Sequence, residues 1–93
     1  MRQKILSERE LSIFNNLSEL RKVEFLAGRF AAKEAYSKAN GTGIGKDCEL
    51  QQIEILKDEI GKPVLYFNGL LVNGFISITH TKTTAAAQVI LMQ

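Results

Sequence analysis

Glu34 follows Val23, Ala27 and Phe30 at steps of four, three and four residues, and Lys38 comes four residues later. On an α-helix those steps return to one face, so a carboxylate interrupts an apolar stripe and a lysine stands one turn beyond it. A carboxylate on a core-facing stripe loses hydration unless a cation meets it. Two cations would serve. The Lys38 ammonium would make an ordinary i,i+4 pair contributing about 0.2–0.5 kcal/mol, whereas an oxygen-seeking divalent ion would make Glu34 a metal ligand. Spacing leaves both open.

Arg21, Lys22, Arg29 and Lys33 add basic groups to the same segment, with Arg29 and Lys33 one turn apart on a face rotated from Glu34. Such a face is ordinarily just solvated. As a functional surface it would hold phosphates, arginine through paired N–H donors and lysine as a point charge. His80 is the only histidine and sits where a strand should end, sharing a face with Ile76 and Ile78. With no second histidine, and Cys48 the only cysteine, a zinc site is not expected, and a structural hydrogen bond is the plainer role for His80. Gly41-Thr42-Gly43-Ile44-Gly45 follows a helix, whereas dinucleotide and P-loop glycines follow a strand and open one, so neither motif is assigned. Gly61-Lys62-Pro63 reads by default as a turn.

The elements that must position these groups change period near residue 41. Ser7 with Glu10 forms a capping box for a first helix over residues 8–16, on which Leu11 and Phe14 make a short apolar stripe. Residues 19–40 contain no Pro and a single Gly, and are rich in Ala, Leu, Glu, Lys and Arg, so a long second helix is expected. Gly41 suits a left-handed cap at its end. Strand patterns follow at residues 53–55, 63–67, 75–80 and 85–92, with turn chemistry over residues 58–63 and at Asn68-Gly69 and Asn73-Gly74 around Leu70-Leu71-Val72, whose state is open. Helices first and strands second imply an α+β fold, helices packed on a small antiparallel β-sheet.

Composition bounds the rest. Residues 1–93 make one small domain, 45% apolar, in a size range where a lone copy buries only about 60–70% of its unfolded surface and stands to gain from self-association. A net charge of +2 with 24% charged residues excludes both a strongly basic nucleic-acid binder and a disordered chain. A lone cysteine excludes intrachain disulfides and cysteine-ligated clusters, points to the cytoplasm, and gives Cys48 no role beyond that of a small, partly buried hydrophobe. No run is long and apolar enough to span a membrane, and residues 1–4 lead into charges rather than the apolar core of a signal peptide.

The segment Glu24-Phe25-Leu26-Ala27-Gly28-Arg29-Phe30-Ala31-Ala32-Lys33-Glu34-Ala35-Tyr36-Ser37-Lys38-Ala39, with the glycine loop after it, resembles the signature of the holo-[acyl-carrier-protein] synthases of the 4′-phosphopantetheinyl transferase superfamily. Gly61-Lys62-Pro63, Ser77-Ile78-Thr79-His80-Thr81 and the run from Ala85 to Leu91 resemble its later motifs in the same order, so the likeness covers nearly the whole chain.

That resemblance implies transfer of the 4′-phosphopantetheine arm of coenzyme A to a serine of apo acyl carrier protein, a step of fatty acid biosynthesis, with magnesium bridging the pyrophosphate. It implies that Glu34 ligates Mg2+, that Lys38 stands beside the scissile phosphates, and that Arg29 and His80 contact the nucleotide and its 3′-phosphate. Lys62 and Pro63 would border the adenine. It further implies homotrimers with active sites between subunits, apo acyl carrier protein as partner, and no nucleic acid or membrane. The family opens with a Gly-Ile-Asp or Gly-Leu-Asp strand and a basic helix. The match here begins after both, so the chain reads as N-terminally shortened, and neither Glu8 nor Glu10 takes the place of that opening Asp as second metal ligand. Three functions are therefore carried forward: the transferase first, then a non-catalytic coenzyme A or nucleotide-binding module on the same scaffold, and last a purely structural interaction domain that binds neither coenzyme A nor carrier protein.

Overall fold

The computed structural model describes residues 5–81 and 83–92; the reading of residues 1–4 lies outside them. Two helices, α1 (Glu8–Phe14) and α2 (Glu19–Ala39), precede a 3-10 turn at Leu50–Gln52 and five strands. These are β1 (Ile53–Lys57), β2 (Pro63–Phe67), β3 (Leu70–Leu71), β4 (Gly74–His80) and β5 (Ala85–Leu91). The α+β order is as expected. The hydrogen-bonded strands, however, form two antiparallel sheets, β1-β2-β3 and β4-β5, instead of a single one.

Local chemistry accounts for the boundaries. Both halves of the capping box form at α1: the Ser7 hydroxyl accepts from the Glu10 N–H and the Glu10 carboxylate accepts from the Ser7 N–H. The helix stops at Phe14, two residues earlier than the pattern suggested, where Asn15, Asn16 and Leu17 form a turn. Ser18 caps α2 by accepting from the Arg21 N–H at 3.4 Å. At its far end Gly41 takes a φ of +88°, and the amides of Thr42 and Gly43 both return to the Ser37 carbonyl. Asp58 closes the β1–β2 hairpin by accepting from the amides of Ile60 and Lys62. Leu70-Leu71, left open by the sequence, pairs with Tyr66 and Phe67 as β3 across the Asn68-Gly69 turn. Both turn residues have positive φ, as a tight two-residue hairpin requires.

The core lies between α2 and the sheets. Ala32, Tyr36, Cys48, Ile53, Ile55 and Leu65 form its buried centre, and alternate residues of β4 (Ile76, Ile78) and β5 (Ala87, Val89, Leu91) pack against it. Cys48 is thus a wholly buried hydrophobe. The face of α2 that turns inward is not the expected one. Val23 is 68% exposed, Phe30 is 40% exposed and Glu34 is half-buried, whereas Gly28, Arg29, Ala32, Lys33, Tyr36 and Ser37 are buried. Small residues bring the helix close to the strands, and two long cationic side chains go in with them.

Candidate functional site

An open cleft of about 650 Å³ runs between the two helices, the β1–β2 hairpin and the end of β4. Its size is in the usual range for small-molecule sites. Arg9 and Ile13 of α1 form one wall, Arg21, Glu24, Phe25 and Arg29 of α2 another, and Lys57, Gly61 and Pro63 a third, with Ile78 and His80 below. Gly28 lets α2 lie against β4 here, since a Cβ at that position would come 3.3 Å from the Ile78 methyl. Four cationic side chains face one carboxylate, so the cleft suits an anion with several charges.

Arg29 is the most constrained of the four. Its guanidinium lies 4.1 Å above the Phe25 ring, and its Nε is buried, 3.8 Å from the Glu10 carboxylate and without a hydrogen bond. Burial lowers its pKa, and the nearby Glu10 charge opposes that shift. Glu10 is itself fully buried and saturated from three other directions, by the amides of Ser7 and Ile55 and by the Lys33 ammonium at 2.5 Å. Lys33 is likewise fully buried and donates to the carbonyls of Ile5 and Leu50 as well. Burial pushes its ammonium below the ordinary lysine range, with Glu10 pulling it back. At the cleft wall, Arg9 makes a two-point contact with Glu54, which also accepts from the Ser7 hydroxyl. Those bonds, that from Arg9 foremost, hold the Glu54 carboxyl below its ordinary 4.5.

Of the residues singled out in the sequence, Arg29, Pro63 and His80 meet in this cleft. Lys62 points to the other side of the hairpin, where its ammonium lies 5.7 Å from the Phe75 ring and it lines a smaller hollow of about 470 Å³ that Pro63 also borders. Glu34 and Lys38 line neither cavity. A step of five residues from Arg29 to Glu34 is a rotation of about 140° on a helix, so the two leave different sides of α2. Among the described residues no three His, Cys, Asp or Glu side chains cluster as a metal site. Sequence reasoning missed Arg9 and Lys57 as cleft residues and the burial of Lys33. The capping box at Glu10 was visible, but nothing local showed that its carboxylate also serves α2 and β1.

The sequence profile of the 4′-phosphopantetheinyl transferase superfamily matches residues 1–90. The chain belongs to that superfamily. Among its phosphopantetheinyl transferase relatives, the holo-[acyl-carrier-protein] synthase of Bacillus velezensis is 58% identical over 90 residues, covering 96% of this chain and 74% of that protein. Solved structures of the superfamily share the fold. A holo-(acyl-carrier-protein) synthase from Bacillus anthracis, in complex with CoA (3′,5′-ADP), superposes with a TM-score of 0.84 at 47% identity, over 96% of this chain and 76% of that one. The Helicobacter pylori synthase, in complex with coenzyme A, gives 0.79 at 28% identity, over 97% and 79%.

Proposed function

We propose that this chain transfers the 4′-phosphopantetheine arm of coenzyme A to a serine of apo acyl carrier protein. The observation that carries the reading is the cationic cleft in which Arg29, Pro63 and His80 meet, on the scaffold of a family with relatives solved bound to coenzyme A. The serine oxygen bonds to the phosphorus that carries pantetheine, the bridging P–O bond breaks, the serine proton leaves, and adenosine 3′,5′-bisphosphate departs with the bridging oxygen. Positioning and charge neutralisation supply most of the catalysis in such a transfer.

Arg29 and His80 bind the nucleotide and its 3′-phosphate, and Pro63, with Lys62 behind it, borders the adenine. Glu34 offers a half-exposed carboxylate with no competing ion pair among the described residues, a donor that fits Mg2+, which keeps several waters and binds through one or two carboxylates plus substrate phosphates. Bound there, the ion would neutralise pyrophosphate charge. Lys38, exposed one turn on, brings its ammonium to the leaving phosphate.

The cleft and the Glu34–Lys38 face lie on different sides of one chain, so a site completed by a second copy unites them. Leu20, Val23, Phe30, Leu70, Leu71, Phe75 and Ile90 are large apolar side chains left exposed, which supports such an assembly, a homotrimer by family likeness. A cytoplasmic place in fatty acid biosynthesis agrees with the single buried, unpaired Cys48. No helix among the described residues is long and apolar enough to cross a membrane. The separation of cleft from Glu34 also favours a second reading, a coenzyme A-binding module without turnover.

The test is the intact mass of apo acyl carrier protein after incubation with the chain, coenzyme A and magnesium. The transferase reading expects a gain of one phosphopantetheine. It also expects Glu34→Ala to cost on the order of 100-fold or more in turnover, with the affinity for 3′,5′-ADP retained. Nucleotide binding without any mass gain would favour the module.

A further inference from the structure

Glu10, Lys33 and Arg29 form a buried cluster, and the buried Glu54 carboxylate acts on Lys33 from beside it. Lys33 has three N–H donors, and all three are spent, at 2.5 Å on the Ile5 carbonyl, 2.5 Å on Glu10 and 2.9 Å on the Leu50 carbonyl. Fully buried, it cannot reach a ligand. Arg29 is 8% exposed and lines the cleft, with the Phe25 ring under its guanidinium and Glu10 behind its Nε, which makes no hydrogen bond. Phe25 is in turn braced by the Phe14 ring, with centroids 6.2 Å apart. Arg29 is therefore fenced on its ring side and its rear, and open toward the cleft.

We propose that the buried Glu10–Lys33 pair positions Arg29, holding its guanidinium ready for a phosphate group of the ligand. Glu10 and Lys33 are positioning residues that touch no substrate. The division of labour follows from their bonds: Lys33 fixes the Glu10 carboxylate against α2 and the 3-10 turn, the amides of Ser7 and Ile55 fix it against α1 and β1, and the fixed carboxylate sets the rear boundary of the arginine. An arginine held in advance loses less freedom when it clasps a phosphate than one free to rotate.

This inference rests on the nucleotide-binding role given to the cleft, and the test separates the two. Affinity for 3′,5′-ADP is measured by calorimetry for the unmodified chain, for Glu10→Gln with Lys33→Met, for Arg29→Ala, and for the triple change. The paired substitution removes both charges together and leaves the Arg29 side chain itself unsubstituted. It should weaken binding about tenfold, while in the Arg29→Ala background it should change affinity by less than about threefold. In turnover assays it should raise KM for coenzyme A with little change in kcat. A purely structural role predicts equal losses in both backgrounds, which would overturn the positioning while leaving the nucleotide role intact. No binding by the unmodified chain would overturn both.

A ligand-free measurement stands beside it in case the paired variant does not fold. The Nε–H proton of Arg29 should exchange with water more slowly than that of the exposed Arg21. Equal exchange rates would overturn the positioning whatever the nucleotide does.

Discussion

Replacing Lys33 by Met leaves an unbranched side chain one atom shorter and removes the charge and all three donors. The cost follows from what is left behind. The carbonyls of Ile5 and Leu50 lose a partner inside the protein, and a fully buried Glu10 carboxylate keeps two amides but only the distant Arg29, at 3.8 Å, as counter-ion. Breaking a buried pair in this way costs about 3–5 kcal/mol, because an uncompensated charge stays in the interior. Against a total stability on the order of 5–14 kcal/mol for a chain of this length, that is a large fraction. Glu10→Gln alone should cost a similar amount, since it strands Lys33. The two together should cost less than the sum by about 2 kcal/mol or more, because the second change removes the charge that the first one orphaned. Urea unfolding of the four proteins at one fixed concentration reads these differences, the fixed concentration being needed because self-association adds to stability. A Lys33→Met cost below about 1 kcal/mol, or additivity within about 0.5 kcal/mol, would refute the charge accounting.

Two further outcomes follow from the same structure. Gly28→Ala gains about 1 kcal/mol of helix propensity and loses a comparable amount or more by pressing its Cβ on the Ile78 side chain, 3.3 Å away, so its net effect on urea midpoint should be small. Gly74→Ala drives a Cβ to 2.5 Å from the Ile90 carbonyl oxygen, which is backbone and cannot turn aside, so it should cost clearly more; equal effects would contradict the packing. The pH dependence concerns Glu54, whose carboxyl is held below 4.5 by Arg9 first and also by Ser7. A depressed carboxyl contributes stability that is present above the unfolded value and is lost as pH falls through the folded one. The penalty of Arg9→Gln should therefore be full at neutral pH and shrink in acid, and a penalty that stays constant through acid unfolding titrations would rule out this linkage.

What the sequence disclosed was the local chemistry. The capping box at Ser7 and Glu10, the helix from Glu19, the left-handed Gly41 and the Asp58 turn are each determined within a few residues, and each formed as expected. The orientation of α2 was not legible, because two rules competed. Apolar spacing put Val23, Ala27 and Phe30 inward, but a carboxylate on another helix, 23 residues from Lys33 in sequence, draws Lys33 and Arg29 in instead. Nothing within α2 reports where Glu10 will be. The cleft was illegible for the same reason. Arg29, Pro63 and His80 come from a helix, a hairpin and the end of a strand, and only likeness to known motifs brought them together as one site, while Arg9 and Lys57 carried no such likeness.

That competition explains why α2 looks inside out. A helix in a lone globule buries its apolar stripe and sends its charges to water. Here the buried face carries an arginine and a lysine, each next to the same carboxylate, and the outward face carries Val23, Phe30 and Glu34. Burying the cations is tolerable only because Glu10 and the carbonyls of Ile5 and Leu50 stand in for water. Leaving the apolar residues outside forgoes their burial within the chain, a loss that association through that face would recover. The half-exposed Glu34 lies at the end of the same stripe, so whatever covers Val23 and Phe30 also comes to rest beside the proposed metal ligand. On the proposed reading one helix has two tasks: its buried side would fix the arginine that meets the nucleotide, and its outer side would present a carboxylate to a second copy.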